Sequence, residues 1–106
     1  MSRFADVLAR LEAVIAARKG ADPASSYTAQ LLAGGPPIAA KKFGEEAVEA
    51  VLAAVSGDAD ALAAESADVI YHWLVMLAAS GVSLDAVAAK LEAREGRSGL
   101  EEKASR

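Results

Sequence analysis

The sequence contains no cysteine and a single histidine among its 106 residues. The first absence excludes a disulfide scaffold, a zinc–thiolate site and thiol chemistry. The second excludes a multi-histidine metal site within one chain. Aromatic residues make up only 5% of the chain, so material that favours strands is scarce. No apolar run approaches the ~20 residues of a membrane span, and the longest, Val69 to Ala79, is interrupted by His72. Arg3, Asp6 and Arg10 put charges where a signal peptide carries its apolar segment. Positive charge is also short, with 11 Lys+Arg against 15 Asp+Glu and a net charge of −4. No basic stripe is available for nucleic acid. The expectation is a cytoplasmic protein with neither a nucleic-acid nor a membrane partner.

Alanine is abundant instead, at 27 of the 106 residues, and alanine is the best helix former. The composition therefore predicts an all-α fold. The length suits a single domain, 1–106, which buries roughly two thirds of the surface its unfolded chain exposes. One modest core is affordable, and association with a second copy would enlarge it.

Four main helical segments follow from the spacing. The first spans Arg3 to Arg18, where Phe4, Val7, Leu8, Leu11, Val14 and Ile15 form one apolar stripe. Ser2 can cap it and Gly20 can end it. Turn signals fill Ala21 to Pro37 around a short helix at Tyr27 to Ala33. The second main helix starts near Pro37 and runs to about Val55, and Ser56-Gly57-Asp58 breaks it. The third covers Ala59 to Ser80. The fourth, capped by Ser83, covers Leu84 to about Glu95, and Gly96 ends it. Arg97 to Arg106 reads as a polar tail. After Asp68 the third main helix is apolar nearly all round, which implies burial on every side. A four-to-five-helix bundle of this size cannot surround such a helix, so a homodimer is expected to complete it.

The chemistry-bearing residues lie in the middle of the chain. Glu45, Glu46 and Glu49 crowd one sector of the second main helix, and Glu65 and Asp68 share a sector of the third. A glycine-containing turn makes these helices antiparallel neighbours, with Glu49 and Glu65 at comparable heights. Facing carboxylates are costly unless a positive charge sits between them. An oxygen-rich cage suits the hard cations Mg²⁺ and Mn²⁺. The alternative is a solvated acidic face. Against it, Asp68 runs directly into Val69-Ile70-Tyr71, which is no solvated surface. His72 shares a face with Asp68 and Glu65. Its readings are a hydrogen-bonded core residue, a partner to Asp68, or a substrate contact. A di-iron carboxylate bundle would need Glu-x-x-His, and Val69 stands where that glutamate belongs.

Glu45-Glu46-x-x-Glu49 followed by Glu65-x-x-Asp68 resembles the motif pair of the MazG-like all-α nucleoside triphosphate pyrophosphohydrolases. Within that superfamily the chain is most similar to the phosphoribosyl-ATP pyrophosphohydrolases of histidine biosynthesis. The resemblance rests on Ser26-Tyr27-Thr28 with Leu31-Leu32 and Gly34, and on Lys42-Phe43-Gly44-Glu45-Glu46-Ala47-x-Glu49. It continues through Gly57-Asp58, Glu65-Ser66-Ala67-Asp68-Val69-Ile70-Tyr71-His72, Gly81-Val82, Arg94 and Ser98-Gly99-x-x-Glu102-Lys103. It covers nearly the whole chain. The acidic motif specifies only the superfamily, and the Ser-Tyr-Thr segment and the Tyr-His pair narrow it. The cyclohydrolase domain fused to many such enzymes has no room here.

The resemblance implies Mg²⁺-dependent hydrolysis of 1-(5-phosphoribosyl)-ATP to 1-(5-phosphoribosyl)-AMP and pyrophosphate, with Mn²⁺ as a possible substitute. It assigns metal binding to Glu46, Glu49, Glu65 and Asp68. Glu45 is then the candidate to orient or deprotonate the attacking water, or else an ordinary solvent-facing residue. Lys42 meets phosphate or forms a surface salt bridge. Arg94, Lys103 and Arg106 neutralise the substrate's 5-phosphate or are merely solvated. The hydroxyls of Ser26, Tyr27 and Thr28 contact ribose or base, or serve as a cap and packing. Trp73 is assigned to the core or a dimer interface. The rival functions are a house-cleaning nucleotide pyrophosphohydrolase and a non-catalytic helical dimerisation module.

Overall fold

The computed structural model describes residues 2–97 and 99–105. Its elements are α1 (Arg3–Arg18), a 3₁₀ turn (Pro23–Ser25), α2 (Tyr27–Ala33), α3 (Gly35–Ser56), α4 (Ala59–Ala79), α5 (Leu84–Glu92) and α6 (Gly99–Ala104). The fold is all-α, as the composition predicts. Ser2 and Ser83 form the caps expected of them, and of Asp58 and Asp60, both able to cap α4, Asp58 does so. The hydroxyl of Ser2 accepts from the Ala5 amide at 3.1 Å, the carboxylate of Asp58 from Ala61 at 3.0 Å and the hydroxyl of Ser83 from Ala86 at 3.1 Å. Each satisfies an amide that has no partner within its own helix.

The start of α3, the end of α5 and the presence of α6 differ most from expectation. Helix α3 begins at Gly35, before both prolines, rather than near Pro37. Proline lacks only an amide that the first turn leaves unpaired, so both rings fit there. Gly35 takes φ +74, and a Cβ on Gly34 would lie 2.7 Å from Ile38 Cγ1, so the α2–α3 corner needs both glycines. Helix α5 stops at Glu92 and gives way to turns through Gly96. None of its residues is fully buried, so no packing holds a longer helix together. The polar tail contains the short helix α6, which the sequence reading did not place.

Helices α3 and α4 form a long hairpin closed by Gly57, whose φ of +77 is the left-handed geometry of a helix C-terminus. Helices α1 and α2 pack on this hairpin, and the core lies where they meet it. Ile15, Leu31, Ala39, Leu74 and Val75 form that core, flanked by Leu8, Leu11, Ile70, Tyr71, Trp73 and Met76. Two longer-range bonds pin α1 to the α4–α5 corner. Glu12 accepts from the Leu84 amide at 3.1 Å, and the Lys19 ammonium donates to the Ala78 carbonyl at 3.3 Å.

Helix α4 is long and apolar enough, by length and composition alone, to cross a membrane. Its packing against α1, α2 and α3, together with Glu65 and Asp68 on its surface, accounts for it as the central helix of the bundle. Its burial is less complete than its sequence suggests. Only His72, Leu74 and Val75 are fully buried, and Ile70, Tyr71, Trp73 and Met76 remain half-exposed.

Ile15 is 1% exposed and joins α1 to the core. Ile15→Ala should cost about 2–5 kcal/mol of stability. A thermal melt should show a midpoint lowered by roughly 10 °C or more, with the same helical signal at low temperature.

Candidate metal centre

The hairpin sets the register of the acidic residues. Glu46 lies 11 residues before Gly57 and Asp68 lies 11 after it, while Glu49 and Glu65 lie 8 before and 8 after. At 1.5 Å per residue the first pair sits roughly 16 Å from the turn and the second roughly 12 Å. Glu46, Glu65 and Asp68 each bring a carboxylate oxygen to within 4.8 Å of the other two. Glu46 and Glu65 are half-buried and Asp68 is exposed. Glu49 lies outside this tightest group, yet its charge acts on Glu65.

The group is electrostatically strained. The carboxyl of Glu65 is pushed above the usual glutamate range, first by burial and then by the charges of Asp68, Glu46 and Glu49. The donor set fits a hard divalent cation: it is all oxygen, anionic and open to solvent at Asp68. Two oxygens bound to one Mg²⁺ are at most about 4.2 Å apart, so a small side-chain adjustment brings the 4.8 Å set to ligand spacing.

The remaining candidates are placed around this group. Glu45 stands apart from it, exposed, with its carboxylate 3.3 Å from the Lys42 ammonium one helical turn earlier. The two residues expected to serve water and phosphate are therefore paired with each other. Thr28 Oγ1 is hydrogen-bonded to the Tyr71 hydroxyl at 2.5 Å, and the Ser26 hydroxyl accepts from the Ala29 amide at 3.2 Å as the cap of α2. Tyr27 is half-exposed and presents an edge-on contact to the His72 ring. Arg94 and Lys103 are exposed on the C-terminal segment, whereas the carboxylate group belongs to α3 and α4. Ser98 and Arg106 lie outside the described residues, as does the side chain of Glu102.

His72 lies in the core, and the polar group nearest its Nε2 atom is on another helix. Asp68 is four residues away on the same helix, but the Nε2 atom of His72 faces Glu46 Oε1 across the hairpin at 3.9 Å. The ring is buried, and its Nδ1 atom has no hydrogen-bond partner among the described residues. Tyr71, given no role from the sequence, packs edge-on against His72 with ring centroids 4.9 Å apart. Its hydrogen bond to Thr28 on α2 emerges only when α2 and α4 are assembled.

The family pattern described as phosphoribosyl-ATP pyrophosphohydrolase matches residues 8–95. The chain is 70% identical over 104 residues to the phosphoribosyl-ATP pyrophosphatase of Caulobacter vibrioides, covering 98% of this chain and 96% of that protein. It is 68% identical over 100 residues to the protein of the same name from Dinoroseobacter shibae, covering 94% and 98% respectively. For the one from Parvibaculum lavamentivorans the identity is 62% over 106 residues, covering 100% and 97%. The match spans α3 and α4 with all the acidic positions described above, so the chain belongs to the phosphoribosyl-ATP pyrophosphohydrolase family and is a hydrolase.

Proposed function

We propose that this enzyme hydrolyses 1-(5-phosphoribosyl)-ATP to 1-(5-phosphoribosyl)-AMP and pyrophosphate, with Mg²⁺ or Mn²⁺, as the second step of L-histidine biosynthesis. The observation that carries the reading is the convergence of Glu46, Glu65 and Asp68 across the hairpin, with the Glu65 pKa raised by burial and then by its acidic neighbours. Such a group calls for a cation. Glu46, Glu49, Glu65 and Asp68 would hold it. A bound Mg²⁺ supplies charge neutralisation for the triphosphate oxygens and the pyrophosphate leaving group.

Positioning and charge neutralisation dominate phosphoryl chemistry, so the protein residues have defined tasks. Glu45, one turn before Glu49 and outside the ligand group, orients or deprotonates the water that attacks the α–β anhydride. Lys42, freed from Glu45, meets phosphate. Arg94 and Lys103 reach the 5-phosphate from the C-terminal segment, and Tyr27 and Thr28 flank the ribose or base. The enzyme works in the cytoplasm on a small molecule, without nucleic-acid or membrane partners.

The functional unit is a homodimer. Val48, Val51, Leu52 and Val55 are exposed at 57%, 60%, 58% and 82% along one face of α3. This is the i, i+3, i+4, i+7 spacing of a helix that packs against something. The chain exposes 7156 Å², against roughly 5,500 Å² for a compact monomer of its mass. The surplus, about 1,600 Å² per chain, falls in the range of obligate homodimers once both partners are counted.

Pyrophosphate release from phosphoribosyl-ATP should require added Mg²⁺ and should exceed release from dUTP or dCTP. Glu49→Gln should lower the rate by on the order of 100-fold with helix content unchanged. Full activity in that variant, or a preference for dUTP, would refute the assignment. In light scattering the protein should run at twice the chain mass, and Leu52→Asp should shift it to the monomer mass. Glu65→Gln should raise the melting temperature of the metal-free protein at pH 7, because it removes a charge that its neighbours repel, and should abolish the further rise on adding Mg²⁺. The sign follows from Glu65's raised pKa. Its ionised form opposes folding above that pKa, and the opposition fades as pH falls through it, so the variant's advantage should shrink in acid.

A further inference from the structure

Among the described residues His72 is the buried polar side chain, at 5% exposure, and the mechanism above gives it no task. Its ring is held from two sides. Tyr71 contacts it edge-on at 4.9 Å and Tyr27 at 6.3 Å. Tyr71 is itself tied to Thr28 by the hydroxyl–hydroxyl bond between α4 and α2. The Glu46 side chain opposite is less confined, at 27% exposure against 7% for His72. The imidazole is the fixed member of the pair and the carboxylate the adjustable one.

The ring's tautomer follows from its surroundings. A proton on Nδ1 would bury a donor with no acceptor and turn the Nε2 lone pair toward a carboxylate oxygen. A proton on Nε2 leaves only a ring lone pair unpartnered at Nδ1 and aims the N–H at Glu46 Oε1. At 3.9 Å the contact is too long for a hydrogen bond, and a movement of about 1 Å by the Glu46 carboxylate closes it.

We propose that His72 is a positioning residue for the metal centre: its Nε2–H, fixed by Tyr71 and Tyr27, engages one oxygen of Glu46 and leaves the other aimed at the cation shared with Glu65 and Asp68. The inference rests on the divalent-cation reading of these carboxylates. It also gives the Ser26-Tyr27-Thr28 segment a second role, as the support that holds the imidazole in place.

The test is Mn²⁺ binding to the full chain, read by the electron paramagnetic resonance signal of free Mn²⁺, with no substrate present. His72→Gln places an amide N–H near the Nε2 position and should bind Mn²⁺ close to wild type. His72→Asn, whose amide reaches only the Nδ1 position, and His72→Leu should bind roughly 10–100-fold more weakly. Equal affinity in all four proteins would overturn the positioning role and leave the metal centre standing. Failure of the wild type to bind Mn²⁺ would overturn the metal centre and this inference with it. Should His72→Leu fail to fold, ¹⁵N spectra of the wild-type imidazole decide. A neutral ring protonated at Nε2 supports the assignment, and one protonated at Nδ1 refutes it.

Discussion

Carboxylates that face one another across two packed helices repel, and the rest of this fold is arranged so that the repulsion cannot be relieved by separation. Glu46, Glu65 and Asp68 converge because α3 and α4 are held as one hairpin, and the hairpin is held because α1 and α2 bury Ile15, Leu31, Leu74 and Val75 against it. The acidic group lies toward the Gly57 end of α4, and the core residues Leu74 and Val75 lie farther along it. Apolar burial in the core supplies the free energy that sustains charge crowding in the acidic group. Glu65 registers the balance, since its carboxyl is held toward the neutral form.

The same division explains the placement of polar contacts elsewhere. Glu12 and Lys19 fasten α1 to the end of α4 and the start of α5, at the opposite end of the hairpin arm from Gly57. The Thr28–Tyr71 bond fastens α2 to the middle of α4. His72 sits between these two anchorages, and Asp68 lies one helical turn before Tyr71. The Thr28–Tyr71 bond therefore fixes α4 about one turn beyond Asp68, close to where the acidic residues must be held in place.

Much of this was legible in the sequence because it is local. Ser2, Ser83 and Asp58 announce helix starts through bonds that reach only three residues ahead. The i, i+3 and i, i+4 rule placed Glu46 with Glu49 and Glu65 with Asp68, and the glycine turn made the two pairs neighbours. Less legible are contacts whose partner lies on another element. Spacing leaves His72 as a core residue, a partner to Asp68 or a substrate contact, and assembly turns its ring toward Glu46 on α3. The Thr28 hydroxyl, open by sequence to substrate or to packing, is engaged by Tyr71, 43 residues on. The early end of α5 has a similar origin, because helical propensity continues past Glu92 but tertiary support does not. Lys42 and Glu45 are the reverse case: their ion pair is an i, i+3 contact that spacing alone contained.

The mirror-like spacing of the acidic residues about Gly57 also bears on how this segment can change in length. Each residue added to a helix rotates what lies beyond it by about 100°. A single insertion between Glu49 and Gly57 would swing Glu46 and Glu49 off the shared face while Glu65 and Asp68 stayed put. Lengthening is compatible with the site only when both arms grow together by whole turns. That change moves the acidic residues farther from Gly57 in step and keeps them facing. The hairpin arms thus form a stretch intolerant of indels. The loops beyond Ala79 carry no such constraint from the carboxylates.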